Sequence, residues 1–211
     1  PSSNATGLAY DGTRLWLTDN SDDGKIYPIS TTDGTVVASV NGVPSSNGFD
    51  IPGGCGNNNS RMCGGAGGVA WTGTSLAVVK QDSNHDGFVL MDTTGSELSK
   101  GYLNQNWPNE FDGLDGIASL GGGVFIGAKS GKLHTASSSG SELSFQDGSA
   151  YNVTGVTQIK ALTSVTEVVE SISWTTVYYA SQATDTVYKG SVPSGISVTK
   201  NVQGMTKVGD N

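Results

Sequence analysis

Basic side chains are scarce in this chain. Eleven lysines and arginines face nineteen aspartates and glutamates, a net charge of −8. They are dispersed along the sequence, and nucleic-acid binding, which needs a basic footprint, is excluded. Histidine is scarcer still: His85 and His134 are the only two. Neither has a nucleophile motif beside it, and there is no G-x-S-x-G elbow, so a Ser-His-Asp triad would have to be assembled across distant segments. The two cysteines, Cys55 and Cys63, have no clustered histidine or further cysteine with which to build a zinc site. No apolar run approaches the length of a membrane span, and no segment carries a helical period. Charged residues make up only 14% of the chain, whereas glycine alone contributes 31 of its 211 residues. With abundant Ser, Thr and Asn, this is the composition of a secreted, turn-rich β protein. A start at Pro1-Ser2-Ser3 without methionine reads as a processed chain.

What the chain does have is a recurring stretch. Gly7-Leu8-Ala9-Tyr10-Asp11-Gly12 leads into Thr13-Arg14-Leu15-Trp16-Leu17-Thr18. The pattern returns as Gly68-Val69-Ala70-Trp71-Thr72-Gly73 followed by Thr74-Ser75-Leu76-Ala77-Val78-Val79, and again as Gly116-Ile117-Ala118-Ser119-Leu120-Gly121 followed by Gly122-Gly123-Val124-Phe125-Ile126-Gly127. A worn copy spans 171–180, two residues shorter at the turn. Each copy reads as two short strands of period two joined by a tight turn whose glycine takes a positive φ. A polar loop, a third strand, a Gly-centred turn and a fourth strand follow. Four antiparallel strands at a repeat of roughly fifty residues predict a β-propeller blade, and blades must stack around an axis to make a core.

The motif resembles the β-propeller superfamily, with blades like those of NHL, YVTN and gluconolactonase-like proteins, in which a G-(L/I/V)-A-(aromatic)-x-G stretch often opens a blade. The resemblance covers most of the chain. It implies an all-β propeller and leaves the function open, since lectins, hydrolases, scaffolds and polymers share that fold. The expected organisation is a single domain, 1–211, with blades over about 6–40, 67–103, 113–147 and 151–199. An insertion covers 41–66. The count is four, or five if 151–169 forms a hairpin of its own rather than the inner strands of an irregular blade. The end of the chain, 204–211, repeats the first half of the motif, with Gly204 and Gly209 in the register of Gly7 and Gly12. It is expected to form a paired strand.

Several residues are candidates for a site. Cys55 and Cys63 are expected to form a disulfide that closes the glycine-rich loop, worth on the order of 2.5 kcal/mol for a loop of about nine residues. Sequons begin at Asn4, Asn58 and Asn152, where loops or chain ends are expected. Asp82, Asn84 and Asp86 precede Gly87 in the D-x-N-x-D-G pattern of a calcium loop, but Thr93 stands where the closing acid belongs; an Asx-rich hairpin turn is the competing reading. Glu110, Asp112 and Asp115 precede the third motif copy, where inner strands of propellers end. Gluconolactonase-like enzymes hold a metal near that axis with acids from several blades. A single cluster does not match, and these acids read as solvated. Trp16, Trp71 and Trp174 read as core, and Trp107 as an exposed anchor.

The expectation is an extracellular, glycosylated, non-enzymatic propeller with a structural or self-assembling, filament-forming role. Its partner would be itself, through an assembly strand comprising Gly204, Met205, Thr206, Lys207, Val208 and Gly209 that adds to a sheet edge of its own or of a neighbouring molecule. A carbohydrate- or ligand-binding, lectin-like propeller is the alternative. A metal-dependent hydrolase or lactonase is the third. No cofactor is expected unless the loop from Asp82 takes calcium.

Overall fold

The computed structural model describes residues 4–20, 24–52, 65–80, 87–102, 116–121, 123–129, 132–139, 142–145, 151–152, 159–169, 172–181, 186–193 and 206–207. The described residues are all-β, and every strand pair is antiparallel. Sheet one begins with β1 (Ala5–Tyr10), β2 (Arg14–Asp19) and β3 (Lys25–Ser30). A ribbon of β4 (Ser39–Val40) and β5 (Val43–Pro44) follows, and β6 (Phe49–Asp50) completes the sheet in the order β1-β2-β3-β6. Sheet two contains β7 (Ala66–Trp71), β8 (Leu76–Lys80), β9 (Gly87–Met91) and β10 (Glu97–Tyr102). In sheet three, β11 (Gly116–Gly121), β12 (Val124–Lys129) and β13 (Lys132–Ser139) are followed by β14 (Glu142–Phe145) and β15 (Tyr151–Asn152), which both pair with β13. Sheet four has β16 (Ile159–Val169), β17 (Ile172–Ser181), β18 (Thr186–Pro193) and β19 (Thr206–Lys207).

The first strand of each sheet faces the centre. β1 lies against β7 and β16, β11 lies against the same two strands, and both diagonals, β1 with β11 and β7 with β16, are in contact. The repeat glycine is what lets these strands approach. A methyl group on Gly7 would stand 2.9 Å from the Cα of Gly68, and one on Gly68 would stand 2.6 Å from the amide nitrogen of Ile117. Neither glycine has a positive φ; each is needed for space. The second glycine of the motif has the other duty: Gly12 and Gly73 sit in their turns at φ 95° and 100°.

Among the described residues two apolar cores lie between the sheets. Ala9, Trp16 and Ile26 of sheet one meet Val69, Leu76, Val78, Val89 and Met91 of sheet two. The other face of sheet two brings Ala70, Ala77, Val79 and Phe88 against Ile117 and Phe125 of sheet three, with the Phe88 and Phe125 rings edge to face at 5.6 Å.

The structure departs from the sequence reading in four places. The fourth strand of sheet one is Phe49–Asp50, inside the stretch expected as an insertion and beyond the expected limit at residue 40. That stretch also holds the β4–β5 hairpin, turned by Asn41-Gly42 with both residues at positive φ, the dipeptide that favours such turns. Within the stretch 171–180, read as a worn hairpin, residues 172–180 run as one strand: β17 pairs along its length with β16 and β18. The expected turn there has no glycine, so nothing interrupts the strand. The inner strand of sheet four is therefore β16, with Ala161 at the glycine position. That place being filled, Thr206 and Lys207 pair with Lys189 and Tyr188 at the outer edge of the same sheet, not as a further inner strand. Gly204, Met205, Val208 and Gly209 lie outside the described residues.

Candidate functional site

The register places both kinds of connection at opposite ends of the sheets. One end carries the short turns 11–13, 72–75 and 92–96 and the connection from β11 to β12, and the chain also leaves β3 and β18 there, after Ser30 and Pro193. The short turns are built from local side-chain chemistry. The Asp11 carboxylate accepts from the amides of Thr13 and Arg14, both at 2.8 Å, and from the Trp16 indole N–H at 2.8 Å, with the Arg14 guanidinium at 3.2 Å. In sheet two Thr72 replaces Asp11, and its hydroxyl accepts from the Ser75 amide at 3.0 Å. A hydroxyl suffices there because Ala77, which needs no acceptor, stands in the place of Trp16. Asp33 and Asp92 hold further turns. The Ser30 hydroxyl, with the amide and hydroxyl of Thr35, lowers the Asp33 carboxyl below the usual carboxylate range. Burial pushes Asp92 upward but is outweighed by the Thr94 hydroxyl and the amides of Ser96, Thr94 and Gly95, so it too lies low.

The other end is different. Ala5, Asp19, Lys25 and Asp50 stand there in sheet one, and Ala66, Lys80, Gly87 and Tyr102 in sheet two. Every long connection that enters a central strand arrives at this end: 51–65 to β7, 103–115 to β11 and 153–158 to β16. The connections from second to third strands, 20–24, 81–86, 130–131 and 182–185, leave from it too. The described residues that bound the glycine-rich cysteine loop, the Asp82 loop and the linker 103–115 thus stand at one end of the molecule. Asn4 is exposed at the start of β1 at that same end.

Beneath it lies a buried polar layer. The bulge before each repeat position, at Thr6 in sheet one, at Gly67 in sheet two and at Lys160 in sheet four, frees backbone groups from the ladder. Two threonines take them up. The Thr6 hydroxyl donates to the Ala66 carbonyl at 2.6 Å, and the Thr18 hydroxyl to the Gly67 carbonyl at 2.7 Å. Sheet one is thereby bonded to sheet two next to the centre. Asp19 and Lys80 close β2 and β8 at matching positions; both are fully buried and each has an interaction partner. The Lys25 ammonium meets the Asp50 carboxylate at 2.6 Å on the rim.

The structure answers the sequence expectations unevenly. Trp16 is buried as core and Trp71 is half-buried against the first core. Trp174 lies in β17 and His134 in β13 opposite Gly127. Asn152 lies in β15, opposite Lys132. Cys55, Cys63, Asn58, Asp82, Asn84, Asp86, His85, Trp107, Glu110, Asp112 and Asp115 lie outside the described residues. Among the described residues no group of three or more His, Cys, Asp or Glu side chains is placed to hold a metal. Sequence reasoning missed Thr6, Thr18, Asp19 and Lys80. For the charged pair the available signal was position: each ends a motif's second strand, where a charged residue in an otherwise apolar strand marks a buried polar layer.

No family model and no curated protein matches the chain. Among solved structures it is similar to the glutaminyl cyclase of Myxococcus xanthus, at 14% identity over 86% of this chain and 68% of that one, TM-score 0.48. It is also similar to the computationally designed Ika4 protein, at 11% identity over 92% of this chain and 94% of that one, TM-score 0.45. A third similar structure is the Dos1 propeller, at 10% identity over 90% of this chain and 46% of that one, TM-score 0.41.

Proposed function

We propose that the four sheets are the blades of a four-bladed β-propeller, and that the chain is an extracellular binding module presenting one ligand-binding face. The cyclic contact of β1, β7, β11 and β16 supports the blade arrangement. The observation that carries the function is the division of the two ends. Tight turns held by their own side chains lie at one, along with the chain's excursions after Ser30 and Pro193, and every long inter-sheet connection arrives at the other. Loops positioned on a rigid scaffold are where binding residues concentrate. The composition of those connections names the ligand class: Asn, Asp, Glu and Ser side chains beside Trp107 and Phe111 suit hydrogen bonding and stacking on a polyhydroxylated ligand, a glycan above all. The secreted composition and the sequons support an extracellular setting, with Asn4 the exposed acceptor.

The test is a glycan array followed by calorimetry. A glycan that binds the wild type should lose about tenfold or more in affinity with Trp107→Ala, because a stacking aromatic at an interface centre carries much of the binding energy. Thr74→Ala, in a turn at the opposite end, should bind as the wild type does. Equal loss in both variants, or no glycan bound at all, would remove this reading.

A further inference from the structure

Three of the four junctions between neighbouring sheets are sealed, and the fourth is not. The residue after the repeat glycine measures this directly. Val69, Ile117 and Leu162 are 1%, 0% and 4% exposed, whereas Leu8, their counterpart in sheet one, is 42% exposed. Strand alternation puts Leu8 and Tyr10 on the same face as Leu15, Leu17, Tyr27 and Ile29, the face turned away from sheet two. All six are exposed or half-buried. On the matching face of sheet two Val69, Leu76, Val78, Val89 and Met91 are buried and Trp71 is half-buried against the first core. Sheet four repeats the asymmetry. Leu162, Val177 and Tyr179, on one face, are buried, while Thr163, Tyr178 and Lys189 on the other are half-buried or exposed and Val187 is 50% exposed. The backbone contacts agree. At the sealed junctions a second strand joins the central pair: β2 with β7, β8 with β11, and β12 with β16. Sheets four and one meet through their central strands, β16 and β1. The junction therefore touches at the centre and opens outward.

We propose that this junction is where two copies of the chain associate, the open face of sheet four in one copy packing on the open face of sheet one in the other. The occupant follows from the repeat. The two open faces are the same two kinds of surface, one turned to the preceding sheet and one to the following, that meet at the sealed junctions. The chain thus exposes both halves of an interface it already makes internally. Exchange of such an interface between identical chains is a low-cost route to assembly, and a head-to-tail contact either closes into a ring or continues as a filament. The glycan-binding face is separate, so either reading stands without the other.

Sedimentation velocity over a wide concentration range tests the proposal on the full chain. The wild type should form a dimer or larger species. Leu8→Lys in sheet one or Val187→Lys in sheet four should each weaken association by about tenfold or more, since each puts an unpaired charge in a closed contact. An equimolar mixture of the two variants should recover a dimer, because one intact contact remains between unlike copies. Leu98→Lys, at an exposed position on the outer strand of sheet two, should associate as the wild type does. Circular dichroism checks that each variant is folded, and Val187→Lys, at the more exposed site, stands in if Leu8→Lys is not. A monomer at every concentration overturns the proposal. So does association that is indifferent to both substitutions, and so does a seam kept from solvent in a monomer by the chain's own residues.

Discussion

Single residues do unequal work in the repeat, and the two glycines show it best. Gly68 has no room for a side chain, because the atoms a methyl group would strike belong to the backbone of Gly116 and Ile117. A backbone held in two sheets cannot yield as a flexible side chain would. Gly68→Ala is therefore expected to cost about 1–3 kcal/mol, the range for overpacking, as measured by urea unfolding. Gly12→Ala meets nothing within 4 Å and is penalised through its φ of 95°. Asp11 is a third kind of case. Its carboxylate is the acceptor for the indole N–H of a fully buried tryptophan, and Asp11→Ala leaves that donor without it. The expected loss is about 1–3 kcal/mol, with a change in Trp16 fluorescence in the folded state. The low Asp92 carboxyl has a pH consequence. A group whose folded pKa is depressed stabilises above its unfolded value of about 3.9, and that contribution disappears as pH falls through the folded value. Asp92→Asn should therefore be less stable than wild type at neutral pH, and the difference should shrink below about pH 4. A gap that stayed constant down to pH 2 would show that the charge is not what holds the turn.

At the scale of elements, the bulged start of the inner strand is the joint between sheets. Thr18 is buried, and its hydroxyl reaches the Gly67 carbonyl across the junction. Thr18→Val keeps the shape and removes the bond, at an expected cost of about 1 kcal/mol. The terminal strand makes a smaller contribution. Deleting residues from 204 onward removes β19 and should speed amide exchange in β18 around Tyr188 and Lys189, with a small fall in Tm. Unchanged exchange there would mean that the pairing carries no weight. These elements differ in how plainly the sequence announced them. The first three motif copies were legible because period-two alternation and two glycines per copy are local signals. The hairpin at Asn41-Gly42 carried a signal as plain, yet its strands of two residues have no period to read. The fourth inner strand has Ala161 where the other copies have glycine, which leaves 151–169 open between a hairpin of its own and inner strands and makes 171–180 read as the worn copy, although its missing turn glycine argues for the continuous strand that β17 is. At the chain end the glycine spacing was visible, but spacing does not say which strand a segment will pair with.

Among the described residues the molecule is four sheets whose central strands meet, with a separate β4–β5 ribbon, and the connections between those sheets enter at one end. That grouping puts the ends of the connections that carry most of the sequence's candidates on the same side as Asn4, which no local pattern could reveal, because it depends on the register of every sheet. The open junction between sheets four and one was equally invisible: Leu8 and Val69 occupy the same motif position, and only packing separates them. All of this rests on the meeting of the central strands at the repeat glycines. The most direct test is a nuclear Overhauser spectrum of the labelled protein. The account predicts cross-peaks between the Hα protons of Gly7 and residues 68–69, and between those of Gly68 and residues 116–117. A spectrum with the cross-strand peaks within each sheet, such as Leu8 to Leu17 and Val69 to Val78, but without the inter-sheet glycine peaks, would contradict it.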